Sequence, residues 1–315
     1  MVVARLNHGW TTGRPWSVEG LQDGQVPEPS LKAGSVEIDV KAWALNPVDY
    51  RLAKTLPIPL IGRRLIGSDF SGVVRSVGHG ITHIKVGDSV FGMLSALRGG
   101  VSAERIVVPG SCVASAPQSI SLVEAASIPL AALTSLQSLR DLARITEGQK
   151  VVINGASGGV GSFGIQLARY FGAEVTAVCS KENHEWVREL GADHCLDYRD
   201  GDFLERIGMV HGIFDARGNR SKRQMAKSVE AGGWVVSTEP GAQVVLAAVC
   251  NPIRKVRQYD VVVKAKSEDL SSLAHWVDTG ILKPVIERIF ERHEVKDAYR
   301  HLLTRRTKGK LIVRY

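Results

Sequence analysis

The sequence predicts an α/β protein in which a doubly wound parallel sheet is joined to a second, β-rich domain. Three observations predict it. The strand-like run Val151-Val152-Ile153 passes directly into a glycine-rich loop and then into a helix, all between Lys150 and Gly172. From near Pro117 onward, strand-like and helix-like segments alternate. Before Pro117 the pattern is different: short apolar runs separated by Pro, Gly and Asp turns, with no useful helical period except near 47–54.

In the first part, Ser35-Val36-Glu37-Ile38-Asp39-Val40-Lys41-Ala42 alternates with period two, as a half-buried strand does. Residues 72–78 and 88–92 read as short strands between glycines. In the second part, 122–144 is rich in Ala and Leu and predicts a helix. Residues 149–154 predict a buried parallel strand. A helix over 160–171 follows, stopped by Gly172. Then come a strand at 174–179, a helix at 182–190, strands at 213–215 and 234–237 with a helix at 222–230 between them, and a last strand at 260–264. Such alternation predicts a parallel sheet with helices on both faces. A helix at 270–279, the apolar Pro284-Val285-Ile286, a helix at 295–304 and a strand at 310–314 close the chain. The 315 residues suit two domains. We place the β-rich one at 1–119 and 279–315 and the parallel-sheet one at 120–278.

Composition narrows the function. With 44% hydrophobic and 23% charged residues the chain is ordinary globular material. The four cysteines, Cys112, Cys179, Cys195 and Cys250, form no Cys-x-x-Cys pair and predict neither a disulfide framework nor a structural zinc. Scattered free thiols suit a reducing cytoplasm. Met1–Trp10 lacks the basic-then-apolar order of a signal peptide, and the apolar stretch Val244–Cys250 is far too short to span a membrane. The net charge is +8, and the last 37 residues hold 10 basic and 4 acidic residues. This excess favours an anionic partner or, more plainly, is a solvated face. No nucleic-acid motif occurs, and the basic residues lack interleaved aromatics.

The chemistry lies in Asn154-Gly155-Ala156-Ser157-Gly158-Gly159-Val160-Gly161. Ala156-x-Gly158-x-x-Gly161 is the GxGxxG fingerprint of a Rossmann-type dinucleotide site with alanine at its first glycine. The tight turn needs small residues, Gly158 admits a pyrophosphate close to the backbone, and Gly161 lets the helix pack on the strand. The helix N-terminus then presents N–H groups to the anion. The flanking strand and helix are the context that the motif requires. Ala156, Ser157, Gly158, Gly159, Val160 and Gly161 are therefore candidate cofactor-binding residues; the alternative is a glycine-rich turn with no ligand. An NAD site usually places an acid at the end of the second strand to bind the ribose hydroxyls. Here that strand ends Val178-Cys179-Ser180-Lys181, and Glu182 follows late. A carboxylate repels a 2′-phosphate, whereas Ser180 and Lys181 bind one, which predicts NADPH. Ser180 as a helix N-cap and Lys181 as a surface lysine are the alternatives.

With these residues in view, the chain resembles the medium-chain dehydrogenase/reductase superfamily and, within it, the zinc-free quinone oxidoreductase branch. The likeness runs along almost the whole chain: Ala44-Leu45-Asn46-Pro47-Val48-Asp49-Tyr50, residues 66–74, 86–92 and 125–134, Gly191-Ala192-Asp193-His194 and Thr307-Lys308-Gly309-Lys310. It implies that the β-rich part is a GroES-like catalytic domain, that Thr134 lies beside the nicotinamide, and that the protein is a homodimer. Tyr198 and Arg305 match phosphate-binding positions loosely. Zinc members of the superfamily carry a Cys near the position of Asn46, a Gly-His-Glu motif where this chain has Gly67-Ser68-Asp69, and a cysteine-rich lobe that is missing here. The resemblance thus implies no metal site. The nine histidines do not cluster in sequence.

Without a metal to polarise the substrate, the expected acceptors are quinones and α,β-unsaturated carbonyls, small electrophiles that take hydride unaided. Such a site must orient the acceptor and offer donors to its developing oxyanion. The family's cleft points to Asn46, Asp49 and Tyr50 as candidate catalytic residues, Asn46 through its amide N–H and Tyr50 through a hydrogen bond or a proton. The same stretch also reads as a helix start, with Asn46 as N-cap, Pro47 at the first position and Asp49 in the first turn. For Asp49 that structural reading is preferred. Arg217 stands where an apolar residue is expected after Asp215-Ala216; it reaches the cofactor or joins a solvated cluster with Arg220, Lys222, Arg223 and Lys227. The expected function is a cytoplasmic, NADPH-dependent, zinc-independent reductase of a quinone or enone. An enoyl-thioester reductase and an NADPH-binding or sensing protein without turnover are the alternatives.

Overall fold

The alternating apolar pattern of residues 35–42 forms the half-buried strand it predicts, within a mostly antiparallel sheet. In the computed structural model, residues 7–13, 16–55, 64–95, 99–239 and 255–315 are described. One compact unit comprises Met1–Leu130, Lys264–Gly280 and Ile286–Tyr315. Its elements, numbered along the whole chain, are β1 (Asn7–Thr12), β2 (Gln22–Val26), β3 (Ser35–Ala44), α1 (Pro47–Thr55), β4 (Arg64–Leu65), β5 (Asp69–Val77), β6 (Ser89–Met93), β7 (Arg105–Pro109), β8 (Val113–Ser115) and α2 (Leu122–Ala125), with the later α8 (Ser267–Asp278), β15 (Ile286–Glu291), α9 (Val295–Leu303) and β16 (Lys310–Arg314). The large sheet runs β15-β16-β3-β5-β6-β8, with β7 also paired to β3, and β2-β1-β4 makes a smaller one. Inward residues of β3, Val36, Ile38 and Val40, share a core with Trp43, Phe70 and Tyr299.

The second unit comprises Ala131–Val263 and Ile281–Val285. It holds most of α3 (Pro129–Leu136), then β9 (Lys150–Asn154), α4 (Gly159–Tyr170), β10 (Glu174–Cys179), α5 (His184–Glu189), β11 (His194–Asp197), α6 (Phe203–Arg206), β12 (Val210–Asp215), α7 (Lys222–Met225), β13 (Val229–Ser237) and β14 (Arg257–Asp260). Its sheet has the order β11-β10-β9-β12-β13-β14, and every pairing is parallel. This is the doubly wound arrangement that the sequence predicts, with its switch point between β9 and β12.

Four local expectations change. The helix predicted over 122–144 is broken, because Pro129 has no N–H to continue a helix and instead starts α3. Beyond α3, residues 137–143 wind as a π-helix that ends at Arg144 in the left-handed region, φ 53°. The helix predicted over 222–230 stops at Met225, and a 3-10 turn carries the chain into β13. The last strand of the sheet lies at Arg257–Asp260 rather than 260–264, because Asp260 pairs at its end with Ser237. In addition, α8, grouped by the sequence with the parallel sheet, clusters with the β-rich unit, where Asp278 Oδ1 accepts the N–H groups of Gln118 and Ser119 at 2.8 Å each.

Among the described residues no helix is long and apolar enough to cross a membrane. The apolar stretch Val244–Cys250 lies outside those residues. Much of the C-terminal basic excess is paired at the surface: Arg292 with Asp23 and Glu104, Arg300 with Glu19 and Asp297, and Arg314 with Glu291.

Candidate functional site

In the parallel-sheet unit, β9 enters the glycine loop at the switch point. Gly155 and Ala156 both donate their N–H groups to the Val178 carbonyl at 3.1 Å, which ties the loop to the end of β10. Gly155 itself has φ +76°, a conformation that side chains resist. The other two motif glycines differ in what requires them. A Cβ on Gly161 would lie 2.2 Å from the Gly155 carbonyl oxygen and 2.7 Å from the Ala156 Cα, so the protein itself forbids it. A Cβ on Gly158 would meet only the Gly155 oxygen, at 3.4 Å. Gly158 is the N-cap of α4 and offers no side-chain cap to its first turn. Thr134 lies on α3, 5% exposed, and the neighbouring Ser135 hydroxyl donates to the Val160 carbonyl at 2.8 Å. That bond ties α3 to the first turn of α4 through Ser135, the residue after Thr134.

A polar row that sequence reading missed crosses the carboxyl ends of four strands. Asn154, Asp215, Ser237 and Asp260 stand in register on β9, β12, β13 and β14. Asn154 Nδ2 donates to Asp215 Oδ1 at 2.8 Å and to Asn219 Oδ1 at 2.9 Å. The same Asp215 oxygen accepts the N–H groups of Arg217 and Gly218 at 3.1 and 3.0 Å, pinning the turn after β12. Burial pushes the Asp215 carboxyl above its usual range. Of the basic cluster, Lys222 pairs with the buried carboxyl of Asp260, whereas Arg217, Arg220, Arg223 and Lys227 are exposed, Arg220 pairing with Asp202 at the surface.

At the end of β10, Ser180 takes the N-cap position of a short 3-10 turn, but its hydroxyl makes no cap; it accepts from Asn183 Nδ2 at 2.9 Å. Lys181 is exposed, and its N–H donates to Asp197 Oδ2 at 2.9 Å. Tyr198 is 57% exposed. Arg305 belongs to the β-rich unit and sits at φ 56°.

In the β-rich unit, α1 begins at Pro47 as predicted. Asp49 works in its first turn, its Oδ2 accepting the Asn46 N–H at 2.9 Å and its Oδ1 accepting the Ser68 hydroxyl at 2.8 Å. Burial pushes the Asp49 carboxyl up to about 7, helped by the nearby Asp69 charge and opposed by the two hydrogen bonds and the Lys310 ammonium. Asn46 is 2% exposed, and its side chain does not cap the helix. Its amide donates to Asp69 Oδ2 at 2.9 Å and to the Ala44 carbonyl at 3.4 Å, while its Oδ1 accepts from Lys310 Nζ at 2.5 Å. Both ends of the amide are therefore engaged inside the protein, unlike the free donor that the sequence suggests. Tyr50 is buried, its ring 5.5 Å from that of Trp16.

Lys310 is the residue that sequence reading missed. It lies 4% exposed on β16, and its ammonium also reaches Asp69 Oδ2 at 3.1 Å and the Leu45 carbonyl at 3.3 Å. Asp69, fully buried, uses its other oxygen to accept the Leu130 N–H at 2.7 Å and so caps α3. The signal is a lysine that opens the apolar run Leu311-Ile312-Val313. Among the described residues, no group of three or more His, Cys, Asp or Glu side chains is arranged to hold a metal ion.

Comparison with known proteins agrees with this architecture. Residues 32–118 match the family model described as alcohol dehydrogenase GroES-like domain, and residues 190–313 match that described as zinc-binding dehydrogenase. The chain is 31% identical over 308 residues to the chloroplast envelope quinone oxidoreductase homolog of Arabidopsis thaliana, covering 93% of this chain and 94% of the relative. It is 34% identical over 321 residues to the 2-methylene-furan-3-one reductase of Solanum lycopersicum, covering 96% and 78%. The solved quinone oxidoreductase of Coxiella burnetii superimposes with a TM-score of 0.88 at 27% identity, over 99% of this chain and 100% of that one.

Proposed function

The chain belongs to the medium-chain dehydrogenase/reductase superfamily, in its quinone oxidoreductase-like branch, and from that premise we propose that it is an NADPH-dependent reductase of quinones or α,β-unsaturated carbonyls that works without zinc. The observation that carries the zinc-free reading is Lys310. Zinc relatives of the family hold metal ligands near the positions of Asn46 and Ser68. Here a buried ammonium already hydrogen-bonds Asn46 Oδ1 and Asp69 Oδ2. A second cation beside it would meet repulsion in a low-dielectric interior, and a serine hydroxyl and a carboxamide are poor zinc ligands. The residues present do not fit the ion.

They do fit a dinucleotide. The backbone of 155–161 and the α4 N-terminus hold its pyrophosphate, Ser180, Lys181 and Tyr198 hold its 2′-phosphate, and Thr134 supports its nicotinamide. When bound, that group supplies the hydride. Asp49, an acid near neutral pH, and Tyr50 supply the proton and the hydrogen bond to the reduced oxygen. Asn46, locked by Lys310 and Asp69, is a positioning residue that holds the start of α1.

The proposal is tested by following nicotinamide absorbance with NADPH or NADH against panels of quinones, enones and an enoyl thioester, with and without a chelator. Oxidation of NADPH by a quinone or an enone, unchanged by chelator, is expected. Tight NADPH binding with no oxidation by any acceptor overturns the catalytic reading, and inhibition by chelator overturns the zinc-free one. Because Asp49 must carry its proton to donate it, kcat should be highest below about pH 7 and fall above it. Asp49→Asn should flatten that profile and lower kcat by about tenfold, at the small end for general acids because the hydride step does not wait on the proton. An unchanged profile in the variant removes Asp49 from the mechanism.

A further inference from the structure

We propose that Arg199 sets the preference for NADPH by masking the two carboxylates that would otherwise favour NADH. The inference rests on the NADPH reading above. An NADH site needs a free acid at the end of the second strand of the sheet, where it accepts hydrogen bonds from the adenosine ribose hydroxyls and repels a 2′-phosphate. The chain has two carboxylates there. Glu182 follows β10 by three residues, and Asp197, the last residue of β11, stands in register with Cys179, the last residue of β10.

Arg199 engages both. Its Nη1 and Nη2 donate to Glu182 Oε1 and Oε2 at 2.9 Å each, a two-pronged pair. Its Nε donates to both oxygens of Asp197 at 3.1 Å, and its Nη2 donates to Asp197 Oδ2 at 2.6 Å. The Asp197 carboxylate is further held by the N–H groups of Lys181, at 2.9 Å, and of Arg199 itself, at 2.8 Å. Arg199 holds the Glu182 carboxyl down at about 2, with help from its own backbone and the Ser180 hydroxyl. Asp197 is held well below the usual carboxylate range, first of all by Arg199. A second guanidinium, that of Arg206, donates to the Asp197 carbonyl at 3.1 Å.

The planar guanidinium suits this task, since a bidentate pair fixes the carboxylate's direction as well as its charge. With one lone pair of each oxygen turned to Arg199 and its charge engaged there, Glu182 is a poorer acceptor for ribose hydroxyls. Arg199 offsets one of the two negative charges of Glu182 and Asp197, and Lys181 and Arg206 more than offset the other, which sets the sign of the field that a 2′-phosphate meets. The Arg199 side chain is 48% exposed, so the pair is not needed to hold a core together.

The test is calorimetric and uses two fragments, 2′,5′-ADP and 5′-AMP, which differ only in the 2′-phosphate. Wild type should bind 2′,5′-ADP the more tightly. Arg199→Met keeps the aliphatic stem and frees Glu182; it should cut the ratio of the two affinities by about tenfold or more, weakening 2′,5′-ADP. Adding Glu182→Gln to that variant should restore most of the ratio. A ratio unchanged in Arg199→Met overturns the inference, because a merely structural role weakens both fragments alike. Failure of Glu182→Gln to restore the ratio also overturns it, because Arg199 would then bind the phosphate directly. If wild type prefers 5′-AMP, the NADPH reading itself fails, whatever the variants do.

Discussion

Gly161→Val should abolish measurable NADPH binding, with a loss of at least about 10²-fold, equivalent to about 3 kcal/mol. The reason is local and backbone-borne. Even the first atom of a side chain at this position would overlap the Gly155 carbonyl oxygen at 2.2 Å, and neither that oxygen nor the Ala156 Cα can move without reshaping the loop. The loop is in turn fixed to β10 by two hydrogen bonds to Val178. Relief therefore means pushing α4 away from β9, which moves the helix N-terminus off the pyrophosphate. Gly158→Ala provides the contrast. Its Cβ fits the apo protein, so thermal stability should stay within about 1 kcal/mol of wild type while cofactor affinity falls. Titration of NADPH by fluorescence, beside thermal melts of both variants, separates the two. Equal melting losses, or undiminished binding by Gly161→Val, would show that the loop does not need its glycines for these reasons.

Lys310→Met should destabilise the β-rich unit by about 3–5 kcal/mol. It leaves the fully buried Asp69 without its cation while the carboxylate still faces Asn46 and the α3 N-terminus. Lys310→Met with Asp69→Asn should recover most of that loss, because a neutral amide keeps the acceptor for the Leu130 N–H and strands no charge. Urea unfolding of the wild type, both single variants and the double variant measures the coupling. A single-variant loss below about 1 kcal/mol, or a double variant no better than Lys310→Met alone, contradicts a buried ion pair of this kind.

These two cases mark what the sequence makes legible. The glycine loop is legible because its physics is contiguous: strand, turn and helix follow one another within 150–172, and each glycine answers to a neighbour a few residues away. The doubly wound sheet follows from repeating that local unit. Lys310 and Asp69 are 241 positions apart, and nothing in either neighbourhood names the other. The role of Asn46 changes for the same reason. Its helix-start position is local and reads correctly, but the direction of its amide is decided by a strand at the far end of the chain. Glu182 is legible as a late acid, yet its partner Arg199 arrives from the turn after the next strand. The end of β14 was misread because Asp260 looks like the beginning of the apolar run Val261-Val262-Val263 rather than the end of a strand closed by Ser237.

The polar row across β9, β12, β13 and β14 has a consequence for how the sheet assembles. A parallel sheet covered on both faces has apolar side chains pointing both ways, so the alternation that fixes an amphipathic strand says little about sliding. Ile213-Phe214 would pair with Val151-Val152-Ile153 on one side and Val235-Val236 on the other almost as well one residue out of step. Asn154, Asp215, Ser237 and Asp260 act as end stops. Slid inward, Asp215 would enter the apolar interior as an unpaired carboxylate. Slid outward, it would lose Asn154 and release the turn at Arg217 and Gly218. The residues that finish the floor beside the cofactor loop are thus also the gauge by which the strands find their alignment.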